Sequence, residues 1–319
     1  HRLSQGNVAV ARVLYDAGFS VLTISNTMHP EFMRKAASSN LPGFSEPDVE
    51  DVRHALRAIR QSIKERYSHR IVREALVGVS LGGFLTTLVA VNDVESPEDE
   101  RFDRYVAINT PVSLYRGMLG LDEYFTSPNQ WAAEERHDRM EKALMKMAQL
   151  DVDQLESEDG LPFDPLEARF LIGFGFRLKL RDVIYESERQ RKSGRFRSNP
   201  SWIRRDDSYH EMMRYSYNDY FERLLIPYSQ ERNHAWTRDH VLQSSDLRTQ
   251  RSAIAKLSNL RVINNRNDFL VSSEDNEWLS RVLGPDRLVL FDFGGHMGNL
   301  HLPRVQSFIV DAVRDLLQE

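Results

Sequence analysis

The run Ala75-Leu76-Val77-Gly78-Val79-Ser80-Leu81-Gly82-Gly83-Phe84-Leu85-Thr86-Thr87-Leu88-Val89-Ala90-Val91 decides the fold. Its first five residues are short, apolar and partly β-branched, as in a buried strand. From Gly83 onward it reads as the first turns of an apolar helix. Between the two stands Gly78-x-Ser80-x-Gly82. A strand that turns sharply into a helix with a serine at the apex is a nucleophile elbow. The glycines let two segments approach closely, and the Ser80 backbone is held in a strained conformation that pushes its hydroxyl out of the turn.

Outward from this run, helical and strand-like segments alternate. Asn7 to Ala17 has helical spacing and stops at Gly18; Phe19 to Ser25 reads as a strand. Residues 26–47 are irregular, with Pro30, Pro42 and Pro47. Asp48 to Arg66 is amphipathic, with Val49, Val52, Ala55, Leu56, Ile59 and Ile63 on one face. Further strands are expected at Tyr105–Asn109, Leu260–Asn264 and Arg287–Phe291, with helices at Ser273–Leu283 and Pro303–Leu317. Residues 113–258 contain almost no strand-like run and read as helices at Trp131–Met147, Leu166–Arg189, Tyr209–Leu225 and Leu247–Leu257. Alternating elements imply a mostly parallel sheet with helices on both faces. Residues 1–112 and 259–319 would form this core. Residues 113–258 would form a large inserted helical lid over the carboxyl ends of the strands, where sites in open parallel sheets lie.

A serine nucleophile needs a base, and the base an orienting acid. Among ten histidines, His296 has the best context. It follows the last strand in Phe293-Gly294-Gly295-His296-Met297-Gly298-Asn299, whose glycines allow a sharp turn. Asp268 follows the preceding strand in a polar loop and is the expected acid; Asp292, four residues before His296, is its nearest rival. Plainer roles exist for each: Ser80 as a helix N-cap, Asp268 as a capping residue, His296 as a turn histidine. His234-Ala235-Trp236-Thr237-Arg238-Asp239-His240 fits no metal spacing and reads as a lid-surface or substrate-side cluster. Tyr209, Tyr215, Tyr217, Tyr220 and Tyr228 read as helix packing, with an acyl pocket as the alternative. His29 and Pro30 suit a loop or the mouth of a site.

The order Ser80, Asp268, His296 and the elbow around Ser80 resemble an α/β-hydrolase-fold serine hydrolase of the esterase, lysophospholipase and serine-aminopeptidase-like branch. The resemblance implies Ser80 as nucleophile, His296 as general base and then acid, Asp268 as orienting carboxylate and the Leu81 backbone N–H as one oxyanion donor. It places the second donor in the loop before the first helix, at His1–Gly6 or upstream of it. The N-terminal strands of such a fold are not visible in this chain, which leaves that donor unassigned. It implies no metal or organic cofactor, and a small-molecule or lipid-like acyl substrate. Cleavage of a carboxylic ester is the expected activity. A peptidase, an amidase or an acyltransferase would use the same residues, and a non-catalytic binding module on the same scaffold stays open.

Composition narrows the classes. A formal charge of −5, from 42 Lys and Arg against 47 Asp and Glu, argues against nucleic acid as the main partner. No apolar run approaches the roughly 18 residues of a membrane-spanning helix. The chain has no Cys, which removes disulfides, thiolate catalysis and Cys-based metal sites. That lack, with a start at His1 rather than Met, points towards a processed or cropped chain of the cell envelope. Compartment and oligomeric state are otherwise open.

Overall fold

Four strands form one all-parallel sheet in the order β1 (Ala75–Val79), β2 (Arg104–Ile108), β3 (Leu260–Asn265) and β4 (Leu288–Phe291). The computed structural model describes residues 5–67, 71–150, 162–198, 200 and 205–317. Each strand begins or ends within one residue of its sequence expectation, because each is a short apolar run that only a buried sheet can use. Register is continuous across the sheet: Val77 lies opposite Val106, Ala107 opposite Val262, and Ile263 opposite Val289.

The chain divides into two compact units, His1–Gly117 with Leu225–Glu319, and Met118–Leu224. The first holds the sheet. On one sheet face Val79, Val106, Ile108 and Ile263 pack with Val10 and Leu14 of α1 (Gln5–Asp16) and with Val305 and Ile309 of the helix Pro303–Asp311. On the other lie α3 (Ser45–Tyr67) and α4 (Leu81–Asp93), preceded in the chain by the short α2 (Pro30–Lys35). There Tyr105 Oη donates to Asp93 of α4 at 2.6 Å, and the Arg60 guanidinium of α3 stacks on Phe102. Helices on both faces are what near-continuous apolar strands require.

One sequence expectation needs correction here. Phe19–Ser25 forms no strand. Its local pattern is strand-like, but a strand exists only through a ladder, and among the described residues nothing pairs with it or with the outer edge of β1. Phe19, half-buried, packs against the same core as Ala75 and Val77, while Val21 and Leu22 are exposed. The second unit is Met118–Leu224, and residues 225–258 are part of the first.

The second unit contains the end of α5 (Leu114–Phe125), then α6 (Ala133–Gln149), α7 (Pro165–Arg191) and α8 (Arg205–Met212). Asp164 caps α7 in a capping box with Glu167, which also accepts from Lys146 of α6 at 2.8 Å. Asp122 of α5 is the hub. It accepts from Arg177 of α7 at 2.8 Å and from the backbone N–H groups of Tyr217 and Asn218. The helix expected over Tyr209–Leu225 is therefore interrupted. It restarts at a Ser216 capping box and runs through a π-helical stretch, Tyr220–Leu225.

The first turn of α3 carries a titrating group. Asp48, fully buried, accepts from Gly43 N–H at 2.7 Å and Thr27 Oγ1 at 3.3 Å. Burial pushes its carboxyl up to about 7, opposed by the Gly43 hydrogen bond. The folded pKa lies above the unfolded value of about 3.9. The folded chain therefore holds this proton between about pH 4 and 7 while the unfolded chain has lost it, and stability falls as pH rises through that window. The expected loss is a few kcal/mol at most. Urea midpoints at pH 5 and pH 8 should differ more in wild type than in Asp48→Asn, which removes the titration. An unchanged difference would contradict this.

Candidate active site

Ser80 stands between β1 and α4 with φ 57° and ψ −122°, a conformation rare for a residue with a side chain. Its N–H donates to Ile108 O of β2 at 2.8 Å, which ties the turn to the sheet. The surrounding glycines do not share one role. A Cβ at Gly78 would lie 2.1 Å from Gly82 O, and one at Gly83 would lie 3.1 Å from Thr110. A Cβ at Gly82 meets nothing within 4 Å. Close approach therefore explains Gly78 and Gly83, while Gly82 has room to spare.

Ser80 occupies the N-cap position of α4, yet its side chain makes no capping hydrogen bond. Instead Oγ lies 2.8 Å from His296 Nε2. His296 Nδ1 lies 2.8 Å from Asp268 Oδ2 and 3.0 Å from Oδ1. The side chains of His296 and Asp268 are 3% and 0% exposed. The three residues singled out in the sequence thus form one continuous chain of contacts, although 216 positions separate the serine from the histidine. In such a chain Nε2 can accept the hydroxyl proton, while the carboxylate holds a proton on Nδ1 and so selects the tautomer.

Local backbone explains how His296 reaches the serine. After β4, Gly294, Gly295 and Met297 all have positive φ (141°, 54° and 71°), which coils the loop tightly around His296. A Cβ at Gly294 would sit 2.3 Å from Asn299, so that residue must lack one. Phe269 packs obliquely on the imidazole at 5.3 Å. Asp292, the rival acid, pairs instead with Arg266 at 3.2 Å and is exposed.

Sequence reasoning missed a group of asparagines behind this chain. Asn264 pairs with both backbone groups of Thr110. Asn265 donates to Gly295 O at 2.8 Å and exchanges hydrogen bonds with Asn299. Asn267 accepts from Gly295 N–H at 2.8 Å. Asn109 donates to Asp268 Oδ2 at 3.0 Å. The available signal was compositional: Asn is depleted from strands, so its recurrence at the ends of β2 and β3 asks for a reason.

Leu81 is the first residue of α4, where a backbone N–H lacks an intrahelical acceptor. For the second oxyanion donor, His1–Ser4 lie outside the described residues. Gly6, at the start of α1, approaches Met297, the residue after His296, closely enough that a Cβ there would lie 3.0 Å from its sulfur.

The remaining candidates have structural partners. His29 caps α2 by accepting from Glu31 N–H, and burial lowers its pKa. Within the 234–240 segment, which is part of the first unit, His240 lies 2.9 Å from Glu46, Trp236 packs edge-on against Phe44, and Thr237 caps a helix. Among the described residues no three His, Asp or Glu side chains are grouped to hold a metal, and no helix is long and apolar enough to cross a membrane. Tyr217 donates to Phe176 O, Tyr228 donates to Ser39 O, and Tyr209 packs edge-on against Tyr185.

No protein-family model matches this chain, and no curated protein does. Among solved structures it aligns with a hydrolase from Pseudomonas aeruginosa PA01, at 18% identity and TM-score 0.37 over 87% of this chain and 73% of that one. It also aligns with proline iminopeptidase from Mycobacterium smegmatis, at 17% identity and TM-score 0.36 over 87% and 74%. Likeness at this level carries nothing about activity, for which the geometry of the site is the ground. A parallel sheet with a serine elbow after β1, an acid after β3 and a histidine after β4 is the arrangement of an α/β-hydrolase fold.

Proposed function

We propose that this chain is a serine hydrolase that cleaves a carboxylic ester, of lipid-like or other acyl type, through an acyl-enzyme. The observation that carries the reading is the unbroken contact chain from Ser80 Oγ through His296 to Asp268, with 2.8 Å at both joints. In the mechanism His296 takes the Ser80 proton as the hydroxyl attacks the ester carbonyl. The Leu81 N–H, with a second donor, stabilises the tetrahedral oxyanion; each such donor contributes on the order of 3 kcal/mol. His296 then returns the proton to the leaving alcohol, and water releases the acid by the reverse sequence. Asp268 keeps the imidazole in the productive tautomer and stabilises the imidazolium that forms. No step calls for a metal or cofactor. The inserted segment, expected over residues 113–258, is assigned the lid role and, with it, the choice of substrate.

The test is a panel of p-nitrophenyl esters of increasing acyl length beside aminoacyl p-nitroanilides. Turnover of esters, with kcat/KM at least about 100-fold above any anilide, is expected. Preference for an anilide would replace the esterase reading with a peptidase on the same residues. Turnover of neither would favour a binding module.

A further inference from the structure

Resting on the serine-hydrolase reading, we propose that Asn109 is a positioning residue that locks Asp268 against His296. Asn109 ends β2. Its N–H makes the last rung to β3, donating to Ile263 O at 2.8 Å, and its backbone then turns left-handed at φ 48°. Asn tolerates that region better than most residues. The turn aims a buried side-chain amide across the end of β3. Nδ2 reaches Asp268 Oδ2 at 3.0 Å and Gly295 O at 3.3 Å.

One amide thus joins the acid to the residue immediately before the histidine. The oxygen it holds is the one that His296 Nδ1 approaches at 2.8 Å. The other oxygen of Asp268 accepts from Leu270 N–H at 2.9 Å. With Asn109 in place, each carboxylate oxygen has a donor independent of His296, and the plane of the carboxylate is fixed. Without it, only the imidazole itself holds Oδ2, and the group can pivot about the Leu270 bond. The side chains of Asn265, Asn267 and Asn299 brace the same loop through Gly295 and Phe293, and Asn265 meets Asp268 only through its backbone carbonyl, which accepts from Asp268 N–H at 3.2 Å. Among the described residues Asn109 has no hydrogen bond to Ser80; it acts through the acid.

Two variants separate positioning from general support. Asn109→Gly keeps the left-handed backbone accessible and drops the amide. Asn109→Asp keeps the shape, but the new carboxyl donates only while protonated and repels Asp268 once ionised. With a p-nitrophenyl ester, Asn109→Gly should lower kcat by about 10- to 100-fold, the scale of a misplaced catalytic group, and leave KM within about twofold. The rate of Asn109→Asp relative to wild type should fall as pH rises from about 5 to about 8. Circular dichroism confirms that each is folded. A wild-type kcat in Asn109→Gly, a loss confined to KM, or a pH-independent ratio for Asn109→Asp would overturn the proposal while an active wild type keeps the hydrolase reading. A wild type that neither turns over an ester nor reacts with a fluorophosphonate overturns both.

Discussion

Ser80→Ala and His296→Ala should each lower kcat on an ester by on the order of 10⁶-fold, and the double variant should be no slower than either single one. The reason lies in the contacts. Ser80 Oγ lies 2.8 Å from His296 Nε2, the base of the proposed reaction, and a serine hydroxyl is a poor nucleophile until a base removes its proton. The base has no function without the nucleophile. In the proposed mechanism the two act as one unit, and removing either removes the whole. What survives is the contribution of oxyanion donors and substrate binding, which neither substitution touches. Asp268→Asn should cost less, on the order of 10⁴-fold, because it leaves nucleophile and base in place and disturbs only tautomer and orientation. Initial rates with the best p-nitrophenyl ester, on variants shown to be folded, decide the matter. Additive losses in the double variant would mean that Ser80 and His296 act separately.

Gly78→Ala is expected to prevent folding. The added methyl would lie 2.1 Å from Gly82 O, 2.4 Å from Gly82 C and 2.4 Å from Thr86 Oγ1. Two of these atoms are backbone of the helix that the elbow begins, so no rotamer change relieves the clash. Relief would require β1 and α4 to separate. Such a change belongs with the most damaging single substitutions, above about 4–5 kcal/mol, against a typical total of about 5–15 kcal/mol. Gly82→Ala is the matched control. Nothing lies within 4 Å of its Cβ position, its φ is not positive, and Ala favours the helix. Its stability should stay within about 1 kcal/mol of wild type. Chemical denaturation of both variants checks the contrast; a stable Gly78→Ala would contradict the geometry of the elbow.

The parts of this fold that were legible in the sequence are those in which a local pattern suffices. β1 to β4 are short apolar runs bounded by turns, and each candidate site residue lies just beyond one of them. The elbow announces itself because strand, serine and helix are contiguous. Phe19–Ser25 shows where that reasoning stops. It has the residues of a strand, and whether it becomes one depends on a pairing partner that local sequence does not supply. The helix expected over Tyr209–Leu225 fails for a similar reason, since Asp122, more than 90 positions away, takes the N–H groups of Tyr217 and Asn218. Asn109 was equally hidden. Its place depends on a left-handed backbone at the end of β2 and on an amide that meets Asp268 across 159 positions.

The central claim is that Ser80 is an activated nucleophile. It is tested most directly by treating the folded chain with a fluorophosphonate probe and locating the adduct by mass spectrometry. One stoichiometric adduct on Ser80 is expected, with none on Ser80→Ala and strongly slowed labelling in His296→Ala. An ester-hydrolysing wild type that takes the probe on another residue, or does not take it at all, would contradict it.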